Sequence, residues 1–93
     1  MVKELNELRE KINEIDKKTQ ELFIKRMEIV RDIYKIKKQC NMEIFDKARE
    51  DEIIKNIVKN PNPIIKNYYL SIQKELLNVS KEYQIFLQNT LKE

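Results

Sequence analysis

The sequence predicts an all-α protein built as a long helix, a short helix and a second long helix. Three observations carry that expectation. Apolar residues recur in steps of three and four along most of the chain. No segment shows the strict apolar–polar alternation of a half-buried strand. The chain has no glycine, and its two prolines both lie in the segment Asn60-Pro61-Asn62-Pro63, the one unambiguous break.

The first helix rests on the seam Leu5, Leu8, Ile12, Ile15, Thr19, Leu22, Arg26, Ile29, Ile33, Ile36, Cys40. Its steps alternate between three and four, so the seam spans about five heptads without a breaker. At about 1.5 Å per residue such a helix is on the order of 50 Å long. A compact globule of this chain length has a radius of gyration of only about 12–13 Å. A helix that long cannot be wrapped by its own chain, so part of its seam requires a partner chain.

Asn41 to Phe45 interrupts the pattern. Asp46 is placed to cap a short second helix running through Val58, with Ala48, Ile53, Ile54, Ile57 and Val58 as its apolar content. After the Asn-Pro-Asn-Pro break, Asn62 is the expected N-cap and Pro63 the first helical residue of the third helix. That helix runs to about Leu91 on the seam Ile65, Tyr69, Ile72, Leu76, Val79, Tyr83, Phe86.

Ninety-three residues make one domain, covering positions 1–93. Hydrophobic residues make up 41%, enough to fold, while charged residues reach 38%, which implies much surface for little core. The net charge of +3 is mild and the signs are interspersed, so nothing calls for nucleic acid. No apolar run approaches the roughly 18 residues of a membrane span, and the N-terminus lacks the apolar core of a leader. A soluble, cytoplasmic protein is expected.

Composition also narrows the chemistry. There is no His and a single cysteine, Cys40. An intrachain disulfide is impossible, Ser–His and Cys–His nucleophiles are excluded, and a zinc site would need carboxylates alone. Without glycine there is neither a phosphate-binding loop nor a dinucleotide fingerprint.

Several polar residues sit where the pattern asks for apolar ones. Arg26 is on the first apolar seam, where a guanidinium needs an anionic partner or a route to solvent. Lys37 follows eleven residues later, about three turns, so it projects from the same side about 16 Å away. Together they could frame a small anion. Arg9 lies about 25 Å before Arg26 and roughly 100° around the helix, so one chain cannot aim both at the same small ligand. In a crossed or antiparallel dimer, Arg9 of one chain could approach the Arg26–Lys37 face of the other. The second helix opens with Asp46, Arg49 and Glu50, which an N-cap with first-turn charges explains by itself. Ser80 and Gln84 form a helical pair four residues apart beside the third seam.

In this order the residues resemble the all-helical class of chorismate mutases. The likeness starts with Leu8-Arg9-Glu10-Lys11-Ile12 and Ile15-Asp16, and continues through Arg26 and Lys37. Asp46-Lys47-Ala48-Arg49-Glu50 matches the family's D-x-x-R-E turn, and Ser80 to Gln84 its S-x-x-x-Q. Two positions depart: Lys25 precedes Arg26 where a Glu is common, and the Asn60–Pro63 connection is short.

The resemblance implies an intertwined homodimer with two equivalent sites, each built from both chains, acting in phenylalanine and tyrosine biosynthesis. Arg9 of the neighbouring chain and Arg26 would hold the carboxylates of chorismate, with Ser80 assisting. Glu50 and the Asp46 backbone would take the ring hydroxyl. Lys37 and Gln84, the catalytic pair, would flank the ether oxygen. The implied reaction is an intramolecular rearrangement to prephenate that needs no nucleophile, proton transfer, metal or cofactor. Two other readings share some of these features. An isochorismate pyruvate-lyase has the same fold, but the complete D-x-x-R-E turn and the Ser80/Gln84 pair favour the mutase. A helical interaction module, or a mutase-like domain that regulates another shikimate-pathway enzyme, explains the seams. A plain hairpin does not explain Arg26 within one of them.

Overall fold

The computed structural model describes residues 2–57 and 62–90. They form three helices, α1 (Val2–Gln39), α2 (Lys47–Ile57) and α3 (Pro63–Thr90), with no strand among the described residues. Val58, Asn60, Pro61 and Leu91, which the sequence places at the ends of the second and third helices and in the break, lie outside them.

Each described boundary has a local cause. α1 ends at Gln39 because Asn41 takes a left-handed backbone, φ 53°. The Met42 amide then donates to the Lys37 carbonyl at 2.8 Å and the Asn41 amide to the Lys38 carbonyl at 3.4 Å. This is a Schellman closure with Asn in the place glycine usually takes. At the start of α2, Asp46 Oδ1 accepts the Arg49 amide at 3.0 Å, the capping bond expected of Asp46. Asn62 Oδ1 accepts the amides of Ile64 (3.1 Å) and Ile65 (3.2 Å), and Pro63 is the first residue of α3. Asp46→Ala should lower the unfolding free energy by about 1 kcal/mol, the usual value of an N-cap, measurable as a lower midpoint in urea.

α3 packs against both α1 and α2. It runs alongside α1 in the same direction. Arg26 reaches Leu76 and Ser80, while Tyr34 and Lys37, about two and three turns further on, share a groove with Ile85 and Gln88. The core is small: Val30 and Tyr34 from α1, Ile57 from α2, and Leu77 and Leu87 from α3. Gln73, Ser80 and Gln84 are buried with them, an unusual share of polar side chains for so few buried positions.

The N-terminal half of α1 projects beyond this packing. Every described residue from 2 to 25 is exposed, and Leu5, Leu8, Ile12, Ile15 and Leu22 are between 46% and 64% exposed. Thr19, the milder intruder in that seam, turns its hydroxyl back to the Ile15 carbonyl at 2.9 Å. The radius of gyration is 17.2 Å and the long dimension 58 Å, well beyond the about 12–13 Å radius of a compact chain of this length. No helix among the described residues is long and apolar enough to cross a membrane.

Candidate active site

A cavity of about 340 Å³ opens between the C-terminal half of α1, the 40–46 connection, the first turn of α2 and the C-terminal half of α3. Arg26 and Lys37 enter it from α1, Asp46 and Glu50 from the start of α2, and Ser80, Lys81 and Gln84 from α3. Six of the seven residues to which the family resemblance gives a role therefore meet in one place. Arg9 does not: it is exposed on the projecting half of α1.

Arg26 is half-buried, and its Nη1 donates to the Ser80 hydroxyl and, at 3.5 Å, to the Leu76 carbonyl. Ser80 is oriented for this because its own hydroxyl proton goes to the Leu76 carbonyl at 2.7 Å, leaving oxygen lone pairs for the guanidinium. Lys37 Nζ donates to the Ile44 carbonyl at 2.7 Å. Both cations are thus held by neutral oxygens, and neither has a carboxylate within ion-pair distance among the described residues. Hydrogen bonds fix where these charges sit without cancelling them, so the cavity attracts an anion.

The two carboxylates play different parts. Asp46 is committed to the cap of α2. Glu50 pairs with Lys81, Nζ to Oε2 at 3.2 Å, and the same ammonium lies 4.8 Å from the centre of the Phe45 ring. Arg49 faces outward to Glu52 at 3.2 Å and is largely exposed. With Arg49 at the rim and paired outward, Arg26, Lys37 and Lys81 stand against Asp46 and Glu50, leaving the cavity one charge positive. Among the described residues no group of His, Cys, Asp or Glu comes together that could hold a metal ion.

Gln84 is 6% exposed. Its Nε2 makes a long bond of 3.4 Å to the Ser80 carbonyl, and its buried Oε1 has no hydrogen-bond partner among the described residues. An unmet buried acceptor costs about 1–3 kcal/mol, so this position favours a donor that reaches Oε1. A half-turn of the side-chain amide exchanges its donor and acceptor, giving up the long bond to the Ser80 carbonyl.

Lys81 was not singled out in the sequence. It shares a helix face with Leu77, Ser80 and Gln84, at the three- and four-residue spacings that could have drawn notice.

The family model for chorismate mutase type II matches residues 8–85. The chain belongs to that family. The matched stretch opens one residue before Arg9 and closes one residue after Gln84, so it contains every residue named above as a candidate. A chorismate mutase from Methanocaldococcus jannaschii is 33% identical over 87 residues, covering 90% of this chain and 87% of that protein. No solved structure matches the chain significantly. The family and this relative support the mutase reading over a pyruvate-lyase or a plain interaction module.

Proposed function

We propose that this chain rearranges chorismate to prephenate as a homodimer, each cavity being completed by Arg9 of the other chain. The observation that carries the reading is the pair Arg26 and Lys37, two cations pinned by neutral oxygens in a small cavity beside the buried amide of Gln84. Chorismate is a compact dianion, and a cavity one charge positive, joined by a further arginine from the partner chain, suits it in sign and size.

The reaction breaks a C–O bond while a C–C bond forms within the same molecule. The protein's first task is to hold the flexible enolpyruvyl arm folded over the ring, which is a matter of orientation. Arg26 with Ser80, and Arg9 of the partner chain, take the two carboxylates and fix the arm against the ring. Glu50, with the Asp46 backbone, takes the ring hydroxyl and sets which way round the ring sits. The second task is to stabilise negative charge growing on the ether oxygen. Lys37 and the Gln84 amide donate to that oxygen, and as pre-placed donors they act without reorganisation as the bond lengthens. No proton moves and no cofactor takes part.

The dimer is supported by the exposed seam of α1, with Ile65, Tyr69 and Ile72 of α3 exposed as well. Isolated, that much apolar surface on an 11.4 kDa chain would be costly. Light scattering at micromolar concentration should therefore give twice the 11.4 kDa of one chain. A folded, fully helical monomer would sink both the dimer and the shared site. We place the enzyme in the cytoplasm as a single domain over 1–93, in the biosynthetic route to phenylalanine and tyrosine. The direct test is loss of chorismate absorbance on adding purified protein, with the product identified. Prephenate supports the proposal; pyruvate with salicylate from isochorismate, and no turnover of chorismate, would replace it with the lyase.

A further inference from the structure

Lys81 does something the three other cations of the cavity do not: it bridges two elements of the cavity wall from a third. Its ammonium projects from α3, pairs with Glu50 on α2 at 3.2 Å, and lies 4.8 Å from the centre of the Phe45 ring in the 40–46 connection. In the same connection, Lys37 of α1 holds the Ile44 carbonyl at 2.7 Å. Residues 44 and 45 are thus gripped by two lysines from two different helices, and Glu50 is the carboxylate beside that grip.

The pair is unlike two ion pairs within α2. In Lys81–Glu50 the side chains are 29% and 21% exposed, against 75% and 62% for Lys47–Asp51 and 60% and 61% for Arg49–Glu52. The last two are near-neighbours on the surface of α2, where water screens them and holds their worth low. Lys81 and Glu50 are shielded, come from different helices and line the cavity, where screening is weaker. α2 and α3 pack together, and each buries an apolar side chain, Ile57 on α2 and Leu77 on α3, so the charge pair is not the sole tie between them.

We propose that Lys81 is a positioning residue: seated between Glu50 and the Phe45 ring, it holds the Glu50 carboxylate where that group receives the ring hydroxyl of the substrate. This rests on the reading above that Glu50 takes that hydroxyl. A glutamate has three rotatable bonds, and leaving them free would charge their ordering against each binding event. Lys81 meets that cost in the folded protein. Its charge also offsets the repulsion between the Glu50 carboxylate and a doubly negative substrate, which an unpaired carboxylate in this cavity would exert. The Phe45 face supplies a second attraction that fixes the ammonium itself.

The hydroxyl takes no part in bond making or breaking, so its hydrogen bond is the same in bound substrate and in the transition state. A loss there falls on KM and spares kcat. Steady-state kinetics with chorismate on the whole dimeric enzyme should show KM raised about tenfold by Lys81→Met with kcat within about twofold. Lys81→Arg should recover most of that loss, because a guanidinium can pair with the carboxylate and stack on the ring. Glu50→Gln should itself raise KM, and adding Lys81→Met to it should cost less than about a further twofold, since the two changes remove one interaction.

Additive effects in that cycle, or a loss that Lys81→Arg does not restore, would overturn the role. So would a Lys81→Met protein that loses helical circular dichroism or its oligomeric state, because Lys81 would then belong to the scaffold. An active wild type with kinetics unaltered by Lys81→Met would remove Lys81 from the site and leave the mutase standing. A wild-type protein that turns over no chorismate at all would overturn the functional reading and this role with it.

Discussion

Arg9→Ala and Lys37→Ala are each expected to lose about a thousandfold or more in kcat/KM, yet the two inactive proteins unfolded and refolded together should regain activity. The size of each loss follows from removing a charged donor from a small, shielded site. The recovery follows from where the two residues stand. Lys37 is inside the cavity of its own chain, while Arg9 is exposed on the projecting half of α1, about 25 Å along the helix from Arg26. If Arg9 acts across the dimer, a mixed dimer has one site carrying both defects and one carrying neither. Random pairing makes about half of the dimers mixed, so about a quarter of all sites are intact and the refolded mixture should reach about a quarter of wild-type activity. Each variant refolded alone should stay inactive. If the mixture also stays inactive while wild-type protein survives the same treatment, Arg9 does not cross between chains.

Much of the fold could be read from local signals, because helices of this kind are specified locally. The seam of α1 and the caps Asp46 and Asn62 each depend on residues within one turn of each other. The end of α1 has a weaker local signal: Cys40 fits the spacing, but Asn41 closes the helix by adopting a left-handed backbone, and Asn does this less often than glycine. Arg26 stood out because a charge interrupted an apolar stripe. What the sequence did not disclose is the company these residues keep. Arg26 meets Ser80 across 54 positions, and Lys37 meets Ile44 through a backbone carbonyl that any residue type would supply. Lys81 has no local signature for the same reason, since its character comes from Glu50 and Phe45, more than 30 positions earlier. In a chain with 19 basic residues, one more lysine on a polar flank carries no local mark.

Gln84→Glu is expected to turn an enzyme with little pH dependence through neutrality into one active only in acid. The Gln amide donates a hydrogen bond whatever the pH, so in the wild type this donor to the ether oxygen never titrates. The introduced carboxyl can donate only while it keeps its proton. Its ordinary pKa is about 4.3, and the position is almost fully buried, which disfavours the charged form and moves the value up. Arg26 and Lys37 line the same cavity and favour the charged form, which moves it down. The direction of the activity change does not depend on which prevails. Below the pKa of the introduced group the donor is present; above it a carboxylate faces an oxygen that is gaining negative charge, and the interaction reverses sign. Turnover should therefore fall as pH rises through that pKa, by a few kcal/mol of transition-state stabilisation, or about a hundredfold or more in kcat/KM. The check is kcat/KM for both proteins from about pH 4.5 to about pH 8.5, a span covering the ordinary and raised carboxyl range, with circular dichroism at each end to establish that both remain folded. Parallel profiles would mean that Gln84 does not touch the ether oxygen. The buried amide would then be a packing feature of α3, and Lys37 would be left as the only proposed donor to the breaking bond.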